Sequence, residues 1–349
     1  VDSYDVHVGA GLLDDAGEIV RAAAPAHRYA IISDEHVAPL YASRVRESVG
    51  AAQTEIFTVP AGESHKTREQ WTRLTDALLA AGFGRDTTIL ALGGGVIGDL
   101  AGFVAATYMR GVPFIQLPTT LLAMIDASIG GKTGVDTAAG KNLVGAFHRP
   151  RAVIVDPASL ATLPIEELRS GAAEAIKHGA IADAAYYASV DASLPAALAT
   201  PAGDAMRALI VRSIQIKAGV VQLDERESGL RRILNFGHTL GHAIESESGY
   251  TLLHGEAIAI GMVLEARLGE RLGATAPGTA DALGHTIQRA GLPVNVPPGL
   301  DAEQILAATR GDKKAREGVT EYALLNRIGS ATAGLRAPDE MVVSILTER

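Results

Sequence analysis

The feature that most constrains this chain is a glycine run set between a strand and a helix. An apolar segment over residues 87–92 is followed by Gly93-Gly94-Gly95-Val96-Ile97-Gly98-Asp99-Leu100-Ala101-Gly102, which leads into a helical stretch. That order satisfies G-x-G-x-x-G with a strand before and a helix after. In this context glycines let the backbone approach a pyrophosphate, and the helix amino terminus offers unpaired N–H groups. Two details depart from the simple dinucleotide fingerprint. The loop follows the third recognisable strand, and no acidic residue stands about 20 positions on for a ribose. Asp34, in Ser33-Asp34-Glu35-His36 after the first strand, is a candidate for that role. A tight turn with close packing is the competing explanation of the glycines. Leu117-Pro118-Thr119-Thr120-Leu121-Leu122 favours the ligand reading, because it sets two hydroxyls at the carboxyl edge of the sheet, where open α/β sheets bind ligands.

The rest of the first half repeats the same grammar. Residues 29–33, 55–59, 114–117 and 152–155 read as further buried parallel strands. A helix before the glycine loop carries Trp71, Leu74 and Leu78 on one face, opens on a capping box from Thr67 to Gln70 and ends at Gly82. This predicts a Rossmann-like, doubly wound α/β domain. Beyond Leu163 long amphipathic segments take over, at residues 165–181, 205–224, 233–247 and 256–272, and predict an all-helical second domain. The X-Pro pairs Asp156-Pro157 and Leu163-Pro164 mark the change, giving domains of residues 1–160 and 161–349. A chain of 349 residues suits two such cores.

His238-Thr239-Leu240-Gly241-His242 puts two imidazoles on one helical face, and His254-Gly255-Glu256 opens another helix just beyond. With no cysteine in the chain, a metal must be held by histidine and carboxylate. Thr239 stands where a metalloprotease H-E-x-x-H carries its general base, so peptide hydrolysis is unsupported. Glu174, within an Ala-lined helical face, is the best third ligand. Glu167, Glu245 and Glu256 compete, and spacing alone does not choose.

A net charge of -9 argues against nucleic acid or an anionic membrane as partner. The opening Val1-Asp2-Ser3-Tyr4-Asp5 lacks a basic region before an apolar core, and no apolar stretch reaches the roughly 18 residues of a spanning helix, so a soluble cytoplasmic protein is expected. Against this acidic background, Gly130-Gly131-Lys132-Thr133-Gly134-Val135-Asp136 and Gly140-Lys141-Asn142 set two ammonium groups among glycines. Lys177, Lys217, Arg231 and Lys313-Lys314 add cations in the helical half. Such a set suits a small anion bearing both phosphate and carboxylate.

These motifs, together with Gly140-Lys141-Asn142-Leu143-Val144-Gly145, Leu234-Asn235-Phe236-Gly237-His238-Thr239 and Asp312-Lys313-Lys314, resemble the 3-dehydroquinate synthase family. The likeness runs from about residue 5 to 335. It implies catalytic NAD, a divalent zinc or cobalt ion and a sugar phosphate substrate, 3-deoxy-D-arabino-heptulosonate 7-phosphate, with a metal-dependent polyol dehydrogenase or another sugar phosphate cyclase as rival readings. By the resemblance Glu174, His238 and His254 hold the metal. Asp34, Glu63, Lys66, Gly94, Gly95, Asp99, Thr119, Thr120, Leu122, Thr162, Leu163 and Glu167 line the NAD site, joined by Lys132 and Lys141. The substrate set is Asp126, Lys132, Lys141, Asn142, Lys177, Lys217, Arg231, Asn235, His242 and Lys313. Arg110 reaches the phosphate of a neighbouring subunit in a homodimer. His36 stands where the family commonly has Asn near the adenosine ribose.

Overall fold

A computed structural model describes residues 3–138, 140–311 and 320–348. Lys313, with Asp312 and Lys314, lies outside them. The chain divides into two compact units, one of Val1–Leu163 with Pro201–Gly203 and one of Pro164–Thr200 with Asp204–Arg349.

The first unit runs β1 (Asp5–Val8), α1 (Ala16–Ala23), β2 (Arg28–Asp34), α2 (Ser43–Val49), β3 (Thr54–Val59), α3 (Arg68–Ala80), β4 (Thr87–Gly93), α4 (Gly95–Thr107), β5 (Phe114–Pro118), β6 (Lys132–Thr137), β7 (Gly140–Phe147) and β8 (Ala152–Val155). Six strands form a sheet in the order β1-β8-β5-β4-β2-β3, every pair parallel. From β2 the chain crosses outward to β3, and from β4 it crosses the other way to β5. The topological switch point therefore falls between β2 and β4, whose carboxyl ends are Asp34 and Gly93, and open sheets bind ligands at such a point.

Both faces are covered, as the continuous apolar strands require. Ala30, Ile32, Ile89 and Ala91 pack into one core with Leu74 and Leu78 of α3 and Leu100 and Val104 of α4. Tyr29, Ile31, Leu90 and Leu92 pack into the other with Val20 of α1 and Val45 of α2. Helix α3 begins where its sequence directs, with half of the expected capping box: the Thr67 hydroxyl accepts from Gln70 N at 3.3 Å, while Gln70 Oε1 accepts from Arg73 and Thr67 N donates to His65 O, and Gly82 at φ +74 ends the segment. Thr67→Ala should cost about 1 kcal/mol, read as a lower midpoint in chemical denaturation.

The expected helices and strands are present, with additions. Strand β1 and the antiparallel hairpin β6/β7 add to the strands expected from sequence, since four residues at one end and a glycine-rich segment carry little apolar periodicity. The second unit comprises α5 (Ile165–Ala182), α6 (Ala184–Ala199), α7 (Asp204–Leu223), α8 (His238–Glu247), α9 (His254–Arg271), α10 (Thr279–Arg289), α11 (Ala302–Gly311), β9 (Tyr322–Arg327), β10 (Ser330–Leu335) and α12 (Asp339–Thr347). It is helical, with the hairpin β9/β10 as an addition to the all-helical expectation. The single helix expected over residues 233–247 is corrected. A 3-10 turn (Leu230–Asn235) ends there, Gly237 adopts φ +78, and α8 starts at His238. The cause is close packing on α9: a Cβ on Gly237 would lie 2.4 Å from Met262 Cγ.

Candidate active site

In the first unit the glycine loop serves two purposes. Gly98 and Gly102 are packing glycines, since a Cβ would stand 2.8 Å from Gln116 Oε1 at the first and 2.5 Å from Thr133 Cγ2 at the second. Gly94 and Gly95 open α4 instead, and no side chain caps that helix, in contrast to Thr67 on α3. Its first-turn N–H groups thus lack the usual side-chain acceptor. Beside them Thr119 donates its backbone N–H to Gly93 O at 2.9 Å, while its buried Oγ1 has no hydrogen-bond partner among the described residues. Thr120 Cγ2 lies where it would meet a Cβ on Gly94 at 3.1 Å, and Thr120 Oγ1 accepts from Ala123 N. Leu122 and Asp126 follow in the same connection. Asp34 closes β2, with Oδ1 accepting from His36 N and Val37 N, both at 2.9 Å. An uncapped glycine-started helix, an unpaired buried hydroxyl and a carboxylate at the switch point fit a dinucleotide.

Next to the loop lies a charge cluster. Lys66 is 3% exposed, and its ammonium stands 2.6 Å from Glu63, 3.4 Å from Asp99 and 3.7 Å from Asp136; Lys141 lies 3.8 Å from the same Glu63 oxygen. Burial pulls the Lys66 ammonium down, but Asp99, Glu63 and Asp136 outweigh it and raise its pKa. Burial lifts Asp99 to about 6 against the pull of Lys66. Burial likewise raises Glu63, yet Lys66 and Lys141 more than offset it and leave that carboxyl below its usual value. Asp136 is raised by burial and accepts from Asn142 N at 2.8 Å, holding Asn142 at φ +55 beside Lys141. Sequence reasoning did not assign Asp136 a role, although its place in the lysine-bearing glycine stretch was a signal. Lys132 opens β6 and is exposed; Thr162, in the 3-10 turn Pro157–Thr162, bonds the Tyr41 hydroxyl at 2.7 Å, and Leu163 follows it. Arg110 stands apart, exposed at φ +68 and without a hydrogen bond or ion pair among the described residues.

The second unit gathers the metal-type donors. On α5, buried continuously from Ser170 to Ile181, Glu174 is fully buried and ion-paired one turn on with buried Lys177. Glu174 Oε1 lies 3.6 Å from His238 Nε2 and 3.6 Å from His254 Nε2. These separations are too long for hydrogen bonds. They match the roughly 3.4 Å expected between two ligand atoms each about 2.1 Å from one tetrahedrally held ion. His242 joins the group, with ring centroids 5.1 Å from His238 and 5.7 Å from His254. His238 Nδ1 lies 3.1 Å from Phe236 O, which assigns the proton to Nδ1 and turns a lone pair on Nε2 toward Glu174. His254 Nδ1 faces Glu245 Oε2 at 3.8 Å. Burial lowers the His254 pKa, but Glu174 and Glu245 override it and hold it at about 9.

The competing carboxylates have other positions. Glu245 stands behind His254, and Glu256 accepts from Leu253 N at 2.9 Å to start α9. Glu167, in the first turn of α5, is raised by burial and by Glu256 and Glu166. Lys217 is buried on α7, and Arg231 is buried in the turn before α8, donating to Glu225 O at 2.5 Å. Asn235 donates to Glu227 at 2.7 Å.

Fold and site together define an enzyme class in which a parallel dinucleotide-type sheet and a histidine–carboxylate helical unit share one chain. Comparison with known proteins narrows this. Residues 56–170 match the family model for the 3-dehydroquinate synthase N-terminal region and residues 171–315 that for its C-terminal region. A 3-dehydroquinate synthase from Nitrosomonas europaea is 44% identical over 348 residues, covering 99% of this chain and 94% of that protein. Among solved structures, the 2-epi-5-epi-valiolone synthase ValA of Streptomyces hygroscopicus subsp. jinggangensis, with NAD+ and Zn2+ bound, superposes with a TM-score of 0.90 at 30% identity, covering 99% and 96% of the two chains. A 2-deoxy-scyllo-inosose synthase complexed with carbaglucose-6-phosphate, NAD+ and Co2+ does so at 0.87 and 27%, covering 98% and 96%. The chain belongs to the 3-dehydroquinate synthase family.

Proposed function

We propose that the chain converts 3-deoxy-D-arabino-heptulosonate 7-phosphate to 3-dehydroquinate and phosphate, a carbon–oxygen lyase step of the shikimate route to aromatic amino acids. Residues 1–160 take NAD and residues 161–349 hold a zinc or cobalt ion through Glu174, His238 and His254. The observation that carries the reading is Glu174: one oxygen 3.6 Å from two imidazole nitrogens, the other paired with the Lys177 ammonium. A carboxylate shared between metal-type ligands and a buried lysine suits an anionic substrate, whereas a plain polyol dehydrogenase has no use for Lys132, Lys141, Lys177 and Lys217 together.

When bound, NAD and the metal supply reversible oxidation of the substrate alcohol at C5 and Lewis-acid polarisation of its oxygen. The protein's own groups do the rest. Gly94, Gly95, Thr119 and Thr120 seat the pyrophosphate at the α4 amino terminus, and Asp34 takes the ribose. Lys141, Asn142, Lys217, Arg231 and Asn235 hold phosphate and carboxylate in one conformation, which is most of the help an internal aldol closure needs. His242 carries the proton from the C5 hydroxyl oxygen. The working form is a cytoplasmic homodimer in which the exposed Arg110 meets the phosphate across the interface. Among the described residues no helix is long and apolar enough to cross a membrane.

Lys141→Ala should raise the KM for the sugar phosphate roughly 10- to 100-fold, the loss of one charge-assisted contact, with unchanged kinetics contradicting its role. To separate the dehydroquinate reading from other cyclases, phosphate release is compared for the substrate and for a heptulose 7-phosphate lacking the carboxylate. At least about tenfold preference for the carboxylate is expected; equal rates would favour a different sugar phosphate.

A further inference from the structure

A buried acid on α9 holds the amino terminus of α8. Glu265 is fully buried at the end of the apolar run of residues 257–264. Its Oε2 accepts from Gly237 N at 2.6 Å, and its Oε1 accepts from Thr239 N at 3.0 Å and Leu240 N at 3.1 Å. These are the N-cap donor and the second and third donors of the helix whose first residue is His238. They would ordinarily be met by an N-cap side chain, but the N-cap is Gly237, which has none.

The substitute cap reaches across because the helices touch backbone to backbone. A Cβ on Gly261 would lie 2.0 Å from Gly237 O and 2.7 Å from Gly241 N, and one on Gly241 3.0 Å from Ala257 O. Glu265 stands one turn beyond Gly261 on α9, and its carboxylate closes the end of α8. Three N–H donors on one carboxylate fix the Phe236–Gly237, His238–Thr239 and Thr239–Leu240 peptide planes, which bracket His238. One of those planes belongs to Phe236–Gly237, whose Phe236 carbonyl receives His238 Nδ1 at 3.1 Å. The carboxylate thus sets both the position of the imidazole on its helix and the acceptor that orients the ring.

We propose that Glu265 is a positioning residue of the metal site: without touching the ion, it fixes His238 so that Nε2 meets Glu174 at ligand spacing. The inference rests on the metal reading given above and extends it to a residue outside the ligand set. Glutamine at this position keeps the volume and one acceptor oxygen but points an amide N–H₂ at backbone donors, so the helix start must shift.

The test uses Glu265→Gln with Ile244→Val as a stability control. Ile244 is buried on α8 away from the cap. Each full-length protein is stripped of metal, titrated with Co2+, and followed by its visible absorption bands and thermal midpoint. Wild type should bind Co2+ with a four- or five-coordinate spectrum. Glu265→Gln should bind about 10- to 100-fold more weakly, the range for loss of an outer partner of a ligand, with displaced bands, while NAD affinity stays unchanged. Ile244→Val should lose thermal midpoint and keep both affinity and spectrum. An unchanged spectrum and affinity in Glu265→Gln overturns the proposal and leaves the metal site standing. So does a loss of affinity in Ile244→Val as large as that in Glu265→Gln, which would make the effect merely structural. Failure of the wild type to bind Co2+ overturns the metal reading itself and this inference with it.

Discussion

Replacing His254 with alanine is expected to abolish stoichiometric binding of a divalent ion and to reduce turnover by more than the roughly 10- to 100-fold that follows loss of an outer partner. His254 opens α9 and presents Nε2 to Glu174 Oε1 at 3.6 Å, while Glu245 stands behind its Nδ1. On the proposed ligand set, removal leaves Glu174 and His238 as an incomplete donor set and strips Glu245 of the imidazole it faces. Two ligands do not make a catalytic site of the three-ligand type. The variant should nevertheless fold, because the His254 side chain is 29% exposed and heads its helix. Metal content after dialysis, thermal midpoint and phosphate release measured on one preparation separate these effects. A variant that retains full activity after chelation would refute the ligand assignment.

Gly261→Ala should produce the largest loss of stability with a functional consequence. The new methyl group would meet Gly237 O at 2.0 Å, Gly241 N at 2.7 Å and Gly241 Cα at 2.9 Å. All three are backbone atoms, so no rotamer change relieves the clash and α8 must move bodily off α9. Overpacking of this kind costs about 3 kcal/mol or more, which for a unit of this size is a fall of roughly 6 to 12 °C in thermal midpoint. Because His238 rides on α8 and His254 on α9, metal affinity should fall with stability. Gly284→Ala on α10 is the matched control: its Cβ meets only Val263 Cγ2 at 3.9 Å, and it should be neutral or slightly stabilising. Equal midpoints for the two variants would contradict the close-contact account of the α8–α9 pair.

The periodic elements were legible because their physical signals are local. Continuous apolar strands, the Thr67–Gln70 cap and the strand–glycine–helix order each lie within about a dozen residues. The break before α8 was not legible in the same way. Residues 233–247 keep a helical pattern, and only the contact of Gly237 and Gly241 with Gly261, some 20 positions on, forces the 3-10 turn and the left-handed glycine. Glu174 is preferred over Glu167, Glu245 and Glu256 from its Ala-lined helical face and from the family resemblance, while spacing alone does not choose. Glu174 Oε1 lies 3.6 Å from an imidazole nitrogen of His238 and of His254, while Glu256 caps α9. Asp136 and Glu265 escaped notice because each acts on backbone N–H groups, which sequence motifs do not display. A glutamate directly after the apolar run of residues 257–264 is nonetheless a visible sign in the case of Glu265.

The most direct test of the central claim is a mass balance. Metal-replete protein is incubated with 3-deoxy-D-arabino-heptulosonate 7-phosphate and NAD far below the substrate concentration, while phosphate, NADH absorbance and product mass are followed together. The account predicts one phosphate per substrate consumed, the mass of 3-dehydroquinate and no net NADH, because the hydride removed at C5 is returned in each turnover. No phosphate release, with NADH accumulating from simple polyols instead, would contradict it.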